Sequence, residues 1–368
     1  MNRSDFSKFR LLNQHISADP FSDPWDVVNW LVAVQAQEYA SAKWALGLRL
    51  NNAVDADIEN AFTNGSILRT HLLRPTWHFV LPSDIHWLLA LTGPRVNKLN
   101  AFMYRREGLD EAILKKSQDV IANALQGGHQ LTRDELGVVL ENAGFQMKKG
   151  QYLVFIIMSA ELNGVICSGG RRGKQFTYAL MDERIPKPSP LGQDEALAEL
   201  SKRYFMSRGP ASIADFTKWS GLTKADAGRG LESVKSQFEN VNVDGQVYWF
   251  AEPQISPINT SPSAYLLSVF DEYISGYLDY SSYGDGSVSG KLRQLGNALH
   301  FIIVIDGLIV GTWRRELGKQ SVEIQTSLFR KLSIHENEAL YEAGQKYGRF
   351  LGVPVTFSNL PKFWNNDQ

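Results

Sequence analysis

SIADFTKWSGLTKADAGRGL, residues 212–231, holds two helix starts in close succession. Ser212 and Thr223 each put a hydroxyl where an N-cap belongs, with Asp215 and Asp226 three residues further on. Gly221 lies between them, and glycine suits the left-handed residue that ends a helix. Two short helices joined by a tight turn form a helix-turn-helix. FENVNVDGQVYWF, residues 238–250, follows as a hairpin with Asp244-Gly245 at its turn. With a helix ahead of it that runs to about Ser207, the stretch reads as a winged helix over 191–252.

Two coarser copies of this pattern lie upstream. In the first, residues 5–15, 24–34 and 55–65 read as helices, and SILRTHLLRPTWHFVLP (66–82) as a hairpin turning at Arg74-Pro75. Pro82 and Ser83 then open a helix over IHWLLALTG, which closes a unit over 1–93. In the second, helices run from about 94 to 106 and from about 110 to 125, and Thr132 with Glu135 caps a third. KKGQYLVFIIMSAELNG is an apolar helix ending at Gly164, and VICSGGRRGKQFTYAL is a strand, a basic turn and a strand. That unit covers 94–185. RIPKPSPLG is a linker by composition. After residue 260 the chain turns β-rich: AYLLSVF, HFIIVID, LIVGTW and SVEIQ read as strands, followed by a helix from about His335 to Phe350 and the strand VPVTF. SSYGDGSVSGKLRQLG reads as a mobile, wet loop. The expected fold class is α+β: three tandem winged-helix domains, then a C-terminal β-rich module over 260–368.

Composition narrows the function. The 368 residues are 43% hydrophobic and 21% charged, an ordinary globular balance, with a net charge of −1. The one cysteine, Cys167, permits no intrachain disulfide and fits a reducing compartment. Without a signal-peptide core or a long apolar run, the chain is expected in the cytoplasm, off the membrane. One cysteine and seven scattered histidines give no zinc spacing, there is no P-loop, and no metal or cofactor is expected. Near-neutral charge still allows a nucleic-acid surface built from local clusters, such as Arg95, Lys98, Arg105 and Arg106. Further basic clusters are Lys148 and Lys149, and Arg171, Arg172 and Lys174 on the second wing. On the first hairpin Arg69, His71, Arg74 and His78 are assigned to DNA, and Trp44 and Trp77 to the core. Asp271 and Glu272 read as structural acids that order a loop.

Gln35-Ala36-Gln37 interrupts the apolar run of the second helix. Residues two apart face different sides of a helix but one side of an extended chain. If the two amides act together, the helix must bend or end near Val34.

Taken jointly and in order, six stretches resemble the AlkZ/YcaQ-type winged-helix DNA glycosylases. They are QAQ (35–37), LRTHLLRPTWHFVLPSDIHWLL (68–89), GPASIADFTKWSGLTKADA (209–227), LLSVFDEYISGYLDYS (266–281), IDGLIVGTWRRE (305–316) and YGRFLG (347–352). The resemblance implies excision of alkylated purines from double-stranded DNA, with interstrand crosslinks as a further substrate. It also implies a Q-Φ-Q or Q-Φ-D catalytic motif, here Gln35-Ala36-Gln37. A monomer is expected, since nothing suggests a dimerisation helix. The chemistry is consistent. An amide cannot take a proton near neutral pH, but a purine alkylated at N7 or N3 is cationic and leaves without a general acid. Glu38, next to the pair, would point away from it. The alternative is a non-catalytic winged-helix DNA-binding protein or transcription regulator, against which no dimerisation helix is evident. A protein-interaction scaffold is a third reading.

Overall fold

The computed structural model describes residues 3–147, 150–186, 191–251, 262–284, 286–294 and 301–358. The first part runs α1 (Arg3–Asn13), α2 (Pro24–Leu31), β1 (Ala33–Gln35), α3 (Tyr39–Leu48), α4 (Asp55–Asn64), β2 (Leu68–Leu72) and β3 (Thr76–Val80). Next come α5 (Ile85–Glu107), α6 (Glu111–Leu125), β4 (Leu131–Thr132), α7 (Arg133–Asn142), α8 (Tyr152–Leu162), β5 (Ile166–Ser168), β6 (Thr177–Leu180) and α9 (Met181–Arg184). Then follow α10 (Gln193–Arg208), α11 (Ile213–Ser220), α12 (Lys224–Val234), β7 (Glu239–Val243) and β8 (Gln246–Phe250). The last part comprises β9 (Ala264–Leu267), α13 (Glu272–Ser275), α14 (Gly286–Gln294), β10 (Ile302–Ile305), β11 (Leu308–Leu317), β12 (Val322–Leu328), α15 (Ile334–Leu351) and β13 (Val355–Phe357).

The fold mixes helices with small sheets. Two sheets have three strands, in the orders β1-β3-β2 and β4-β6-β5; β7 and β8 form a pair. The fourth sheet is open and five-stranded, β13-β12-β11-β10-β9, with β13 parallel to β12. The expected caps at Thr132, Ser212 and Thr223 form, and Ser333 with Glu336 makes a further capping box at the start of α15. Asp244 and Gly245 both take positive φ, as the hairpin turn requires.

One core joins the N-terminal helices, α10 to α12 and the C-terminal sheet, while α5 to α8 build a second. Trp44 is the pin of the first core. Its indole donates to Leu266 O at 2.7 Å, and its ring meets Tyr347 and Phe350. The β-rich part is therefore packed onto the first helices.

Several expectations are corrected. The helix starting at Pro24 stops at Leu31, three residues before Val34. The helix over 39–48 is absent from the sequence reading because nearly every residue in it is buried, leaving no polar face to mark its period. The helices expected on either side of residue 94 are one, α5. Pro94 lies on its exposed side and frees only the carbonyl of exposed Ala90, which water can satisfy. Gly93 lets α5 approach α8 closely, since a Cβ there would lie 2.5 Å from Leu162 O. The Gly/Ser-rich stretch from 281 is not simply loop: it contains a 3-10 turn with Tyr283 fully buried, then α14. In the expected linker, residues 187–190 lie outside the described residues.

Candidate active site

The site begins where α2 breaks. Val32 adopts φ 66°, a left-handed conformation that a β-branched residue resists. Arg208 holds the break: Nη1 donates to Leu31 O (3.0 Å) and Nη2 to Ala33 O (3.1 Å). A cation thus meets the carbonyl end of the helix. The chain then runs extended beside β3, pairing Ala33 with Val80, Val34 with Phe79 and Gln35 with His78. Ala36 N donates to Trp77 O at 2.7 Å and carries the ladder past the strand. Ala36 is fully buried, Gln35 is 8% exposed and Gln37 is exposed. In this extended chain the two glutamines share a side, opposite the alanine.

Each carboxamide is oriented by a donor. Arg74 Nη2 donates to Gln35 Oε1 at 3.2 Å, and Trp77 N to Gln37 Oε1 at a long 3.4 Å. Guanidinium and amide N–H groups only donate, so the atoms facing them are the oxygens. Each oxygen retains a lone pair, and neither NH₂ has a hydrogen-bond partner among the described residues. Gln35 is largely enclosed, while Gln37 is exposed.

A buried charge network supports the motif. Glu272 accepts from Gln35 N through Oε1 (2.9 Å), and from Arg208 Nη2 (2.7 Å) and Trp219 Nε1 (2.9 Å) through Oε2. Its neighbour Asp271 receives two donors from fully buried Arg49. Both acids are structural, as read from sequence, but their partners were missed. Arg208 gave a signal: it falls on the apolar stripe of α10 with Leu197, Leu200 and Tyr204, where an arginine needs a buried acid. Glu38 caps α3 through Ser41 N and lies 3.8 Å from Arg315, away from the glutamines as expected.

The residues assigned to DNA divide. His71 and His78 are corrected: both are buried, at 1% and 0% exposure. His71 Nδ1 pairs with Glu161 Oε2 of α8 at 2.5 Å. His78 donates Nδ1–H to Thr76 O, and burial, aided by Arg74, holds its pKa well below the usual imidazole value. Hairpin alternation placed them on an open wing, but β1 and α8 cover that hairpin. Arg69 is also largely enclosed, and half-buried Arg74 serves Gln35 and Lys218 O. Trp77 is only half-buried, its ring against Arg69 and His71, so it is not the core residue expected. On the second wing, Arg171 packs over Tyr39 and Phe176 near Glu59, and Arg172 pairs with Glu135 (2.6 Å). Lys174 is exposed at the rim of a pocket of about 400 Å³ that reaches Arg69 and Trp77. Lys148 and Lys149 lie outside the described residues. No group of three or more His, Cys, Asp or Glu able to hold a metal occurs among the described residues, and none of their helices is long and apolar enough to cross a membrane.

The broken helix thus presents two oriented amides near a basic, aromatic-lined hollow. The AlkZ-like DNA glycosylase family model matches residues 28–350, and the chain belongs to that family. It is a DNA glycosylase. An interstrand DNA cross-link repair glycosylase from Streptomyces sahachiroi is 26% identical over 307 residues, covering 78% of this chain and 81% of that protein. The solved structure of the Streptomyces sahachiroi DNA glycosylase AlkZ shares the fold, with a TM-score of 0.78 at 21% identity over 97% of this chain and 99% of that one.

Proposed function

We propose that this glycosylase hydrolyses the N-glycosidic bond of cationic purines alkylated at N7 or N3 in double-stranded DNA, with Gln35 and Gln37 at the reacting sugar. The observation that carries the reading is the pair of carboxamides on one side of an extended segment, each with its oxygen pinned by a donor. In the reaction the C1′–N9 bond breaks and both electrons leave with the purine, which becomes neutral. Water adds to C1′, and its proton passes to solvent. The free lone pairs on Gln35 Oε1 and Gln37 Oε1 hold that water and face the positive charge developing on the sugar. Neither amide can take the proton, so a neutral base such as uracil stays in place. Interstrand crosslinks through purine N7 carry the same activated leaving group and fall within this chemistry, in keeping with the name of the Streptomyces sahachiroi relative.

DNA lies across three tandem winged helices, the first two sharing α5 and the third formed by α10–α12 with β7–β8, while the β-rich part buttresses the first. The protein works as a cytoplasmic monomer. Purified protein incubated with N7-methylated duplex should release free 7-methylguanine, and with an N7-crosslinked duplex should separate the strands. Tight binding without base release would return the chain to the non-catalytic reading.

A further inference from the structure

Arg69, on β2, is the least expected charge in the molecule. Its guanidinium lies between the rings of Trp77 and Phe176, 4.4 and 4.6 Å from their centroids, and the residue is 8% exposed. Nε donates to Ala36 O at 3.0 Å. Its two Nη groups have no hydrogen-bond or carboxylate partner among the described residues, although they belong to a side chain that lines the 400 Å³ pocket. Burial draws its pKa down to about 10; the field of Glu161 works the other way, but that carboxylate is engaged by His71. A guanidinium withdrawn from water without an acid beside it calls for an anion. Across the pocket α7 begins, with Thr132 as N-cap and Arg133 and Asp134 in its first turn, and Lys174 stands at the rim. The Thr132 hydroxyl takes the N–H of Glu135, whose carboxylate is engaged by Thr132 N and Arg172; the N–H groups of Arg133 and Asp134 remain, point out of the helix end and favour negative charge. Asp134 lines the pocket too, but its side chain is 80% exposed and lies beside Arg133 (3.9 Å).

We propose that this pocket binds one backbone phosphate of the DNA next to the lesion, through Arg69, Arg133, Lys174 and the amide end of α7. The inference rests on the placement of the lesion at Gln35 and Gln37. Arg69 spans two tasks: one edge holds the carbonyl between the glutamines, and the other grips the phosphate. The distance from phosphate to motif is then fixed by a single rigid side chain, which sets the sugar in register with both amides. Trp77 and Phe176 keep the guanidinium flat and dry, conditions under which a phosphate contact is strong.

The test is a scan of duplexes that carry one N7-methylguanine and a single neutral methylphosphonate at successive positions. Native protein should lose about tenfold to a hundredfold in affinity at one phosphate adjacent to the lesion, the range for a hydrogen bond to a charged group. Arg69→Gln should be much less sensitive to that same replacement than native protein, while Arg69→Lys, which keeps the charge, should fall between the two. In Arg69→Gln the slope of log affinity against log salt should fall by roughly one. Arg133→Ala, at an exposed position, provides the same comparison if the Arg69 variants do not fold. A purely structural Arg69 would leave the methylphosphonate profile unchanged in shape. Equal profiles for native protein and all variants would overturn the proposal. Base release is measured in parallel on duplex without methylphosphonate. Release with no privileged phosphate rejects the pocket alone. A privileged phosphate without release upholds the pocket and rejects the cationic-purine reading.

Discussion

The hairpins β2–β3 and β7–β8 start from the same kind of sequence, alternating residues about a short turn, and end in opposite surroundings. In β7–β8 the polar residues Glu239, Asn240 and Asn242 face solvent, and only Tyr248 of the strands is fully buried. In β2–β3 every residue of the first strand is buried, including Arg69, Thr70 and His71. The difference comes from what lies alongside. β1 adds a third strand to the first hairpin, and α8 and β5 pack on it. The third hairpin is a two-stranded ribbon, joined at its end by a bridge from Ala211 to Trp249. A hairpin covered on its edge and face becomes a platform whose polar groups must find internal partners; one left open presents them to the outside. The glutamine motif sits on the platform.

The largest effect should come from the motif itself. Gln35→Ala or Gln37→Ala should lower single-turnover excision of 7-methylguanine by roughly two to four powers of ten, the range for positioned acid–base or water assistance. Gln37→Asp should keep activity, since a carboxylate accepts the same hydrogen bonds. Gln37 is exposed, so its alanine variant should melt like the native protein. Gln35→Ala strands one donor of Arg74 and should cost about 1 kcal/mol of stability. Activity that survives in both variants would remove the motif from the mechanism.

Next in size is the support behind the platform. Glu272→Ala leaves Arg208 without its buried acid and releases Gln35 N, so unfolding free energy should fall by about 3–5 kcal/mol. Asn240→Ala on the open hairpin should change it by less than about 0.5 kcal/mol. Urea titration of both variants measures the contrast directly. Similar losses would mean that the two hairpins do not differ as their burial indicates.

Acid sharpens the same contrast through His78. The fold holds it neutral, while the unfolded chain protonates it near pH 6.5. Below that pH the unfolded state binds a proton that the folded state refuses, so stability falls as pH drops and is unaffected above it. The loss attributable to this group is about 1.4 kcal/mol per pH unit until the depressed pKa is reached. Urea midpoints at pH 7.5 and 5.5 should therefore draw closer together in His78→Gln than in the native protein. The opposite change would mean that the imidazole is charged in the fold.

The reading of helices and hairpins from sequence succeeded where a local signal existed: hydroxyl caps at Ser212 and Thr223, the Asp244-Gly245 turn, the glycine ending α4. It failed where the cause was distant. Nothing near residue 39 reveals that α3 is enclosed on all sides, and nothing near Val32 reveals that an arginine 176 positions later will hold the helix open. A break ahead of the glutamines was expected on the condition that the two amides act together, because residues two apart share a side only outside a helix. The histidines were misplaced because an alternating strand does not say whether another strand and a helix will cover it. For the same reason the charges on the second wing looked alike.

Those wing charges provide the smallest effects, and they separate the two kinds of surface within a single turn. Arg171 is stacked over Tyr39 and Phe176 and lies 3.6 Å from Glu59, so it joins the second wing to α3 and α4. Arg171→Ala should lower stability by about 1 kcal/mol through lost packing, with little change in the salt dependence of DNA binding. Arg172 is exposed and shares its charge with Glu135, and an exposed pair adds little to stability. Arg172→Ala should be nearly silent in both measurements. Lys174, open at the pocket rim, should leave stability unchanged when replaced by alanine, yet reduce the salt slope by roughly one if it meets a phosphate. Melting and salt titration of the three single variants distinguish the roles that a triple substitution would blend. Equal salt slopes for Lys174→Ala and Arg172→Ala would place the whole turn away from DNA and make the second wing a structural element.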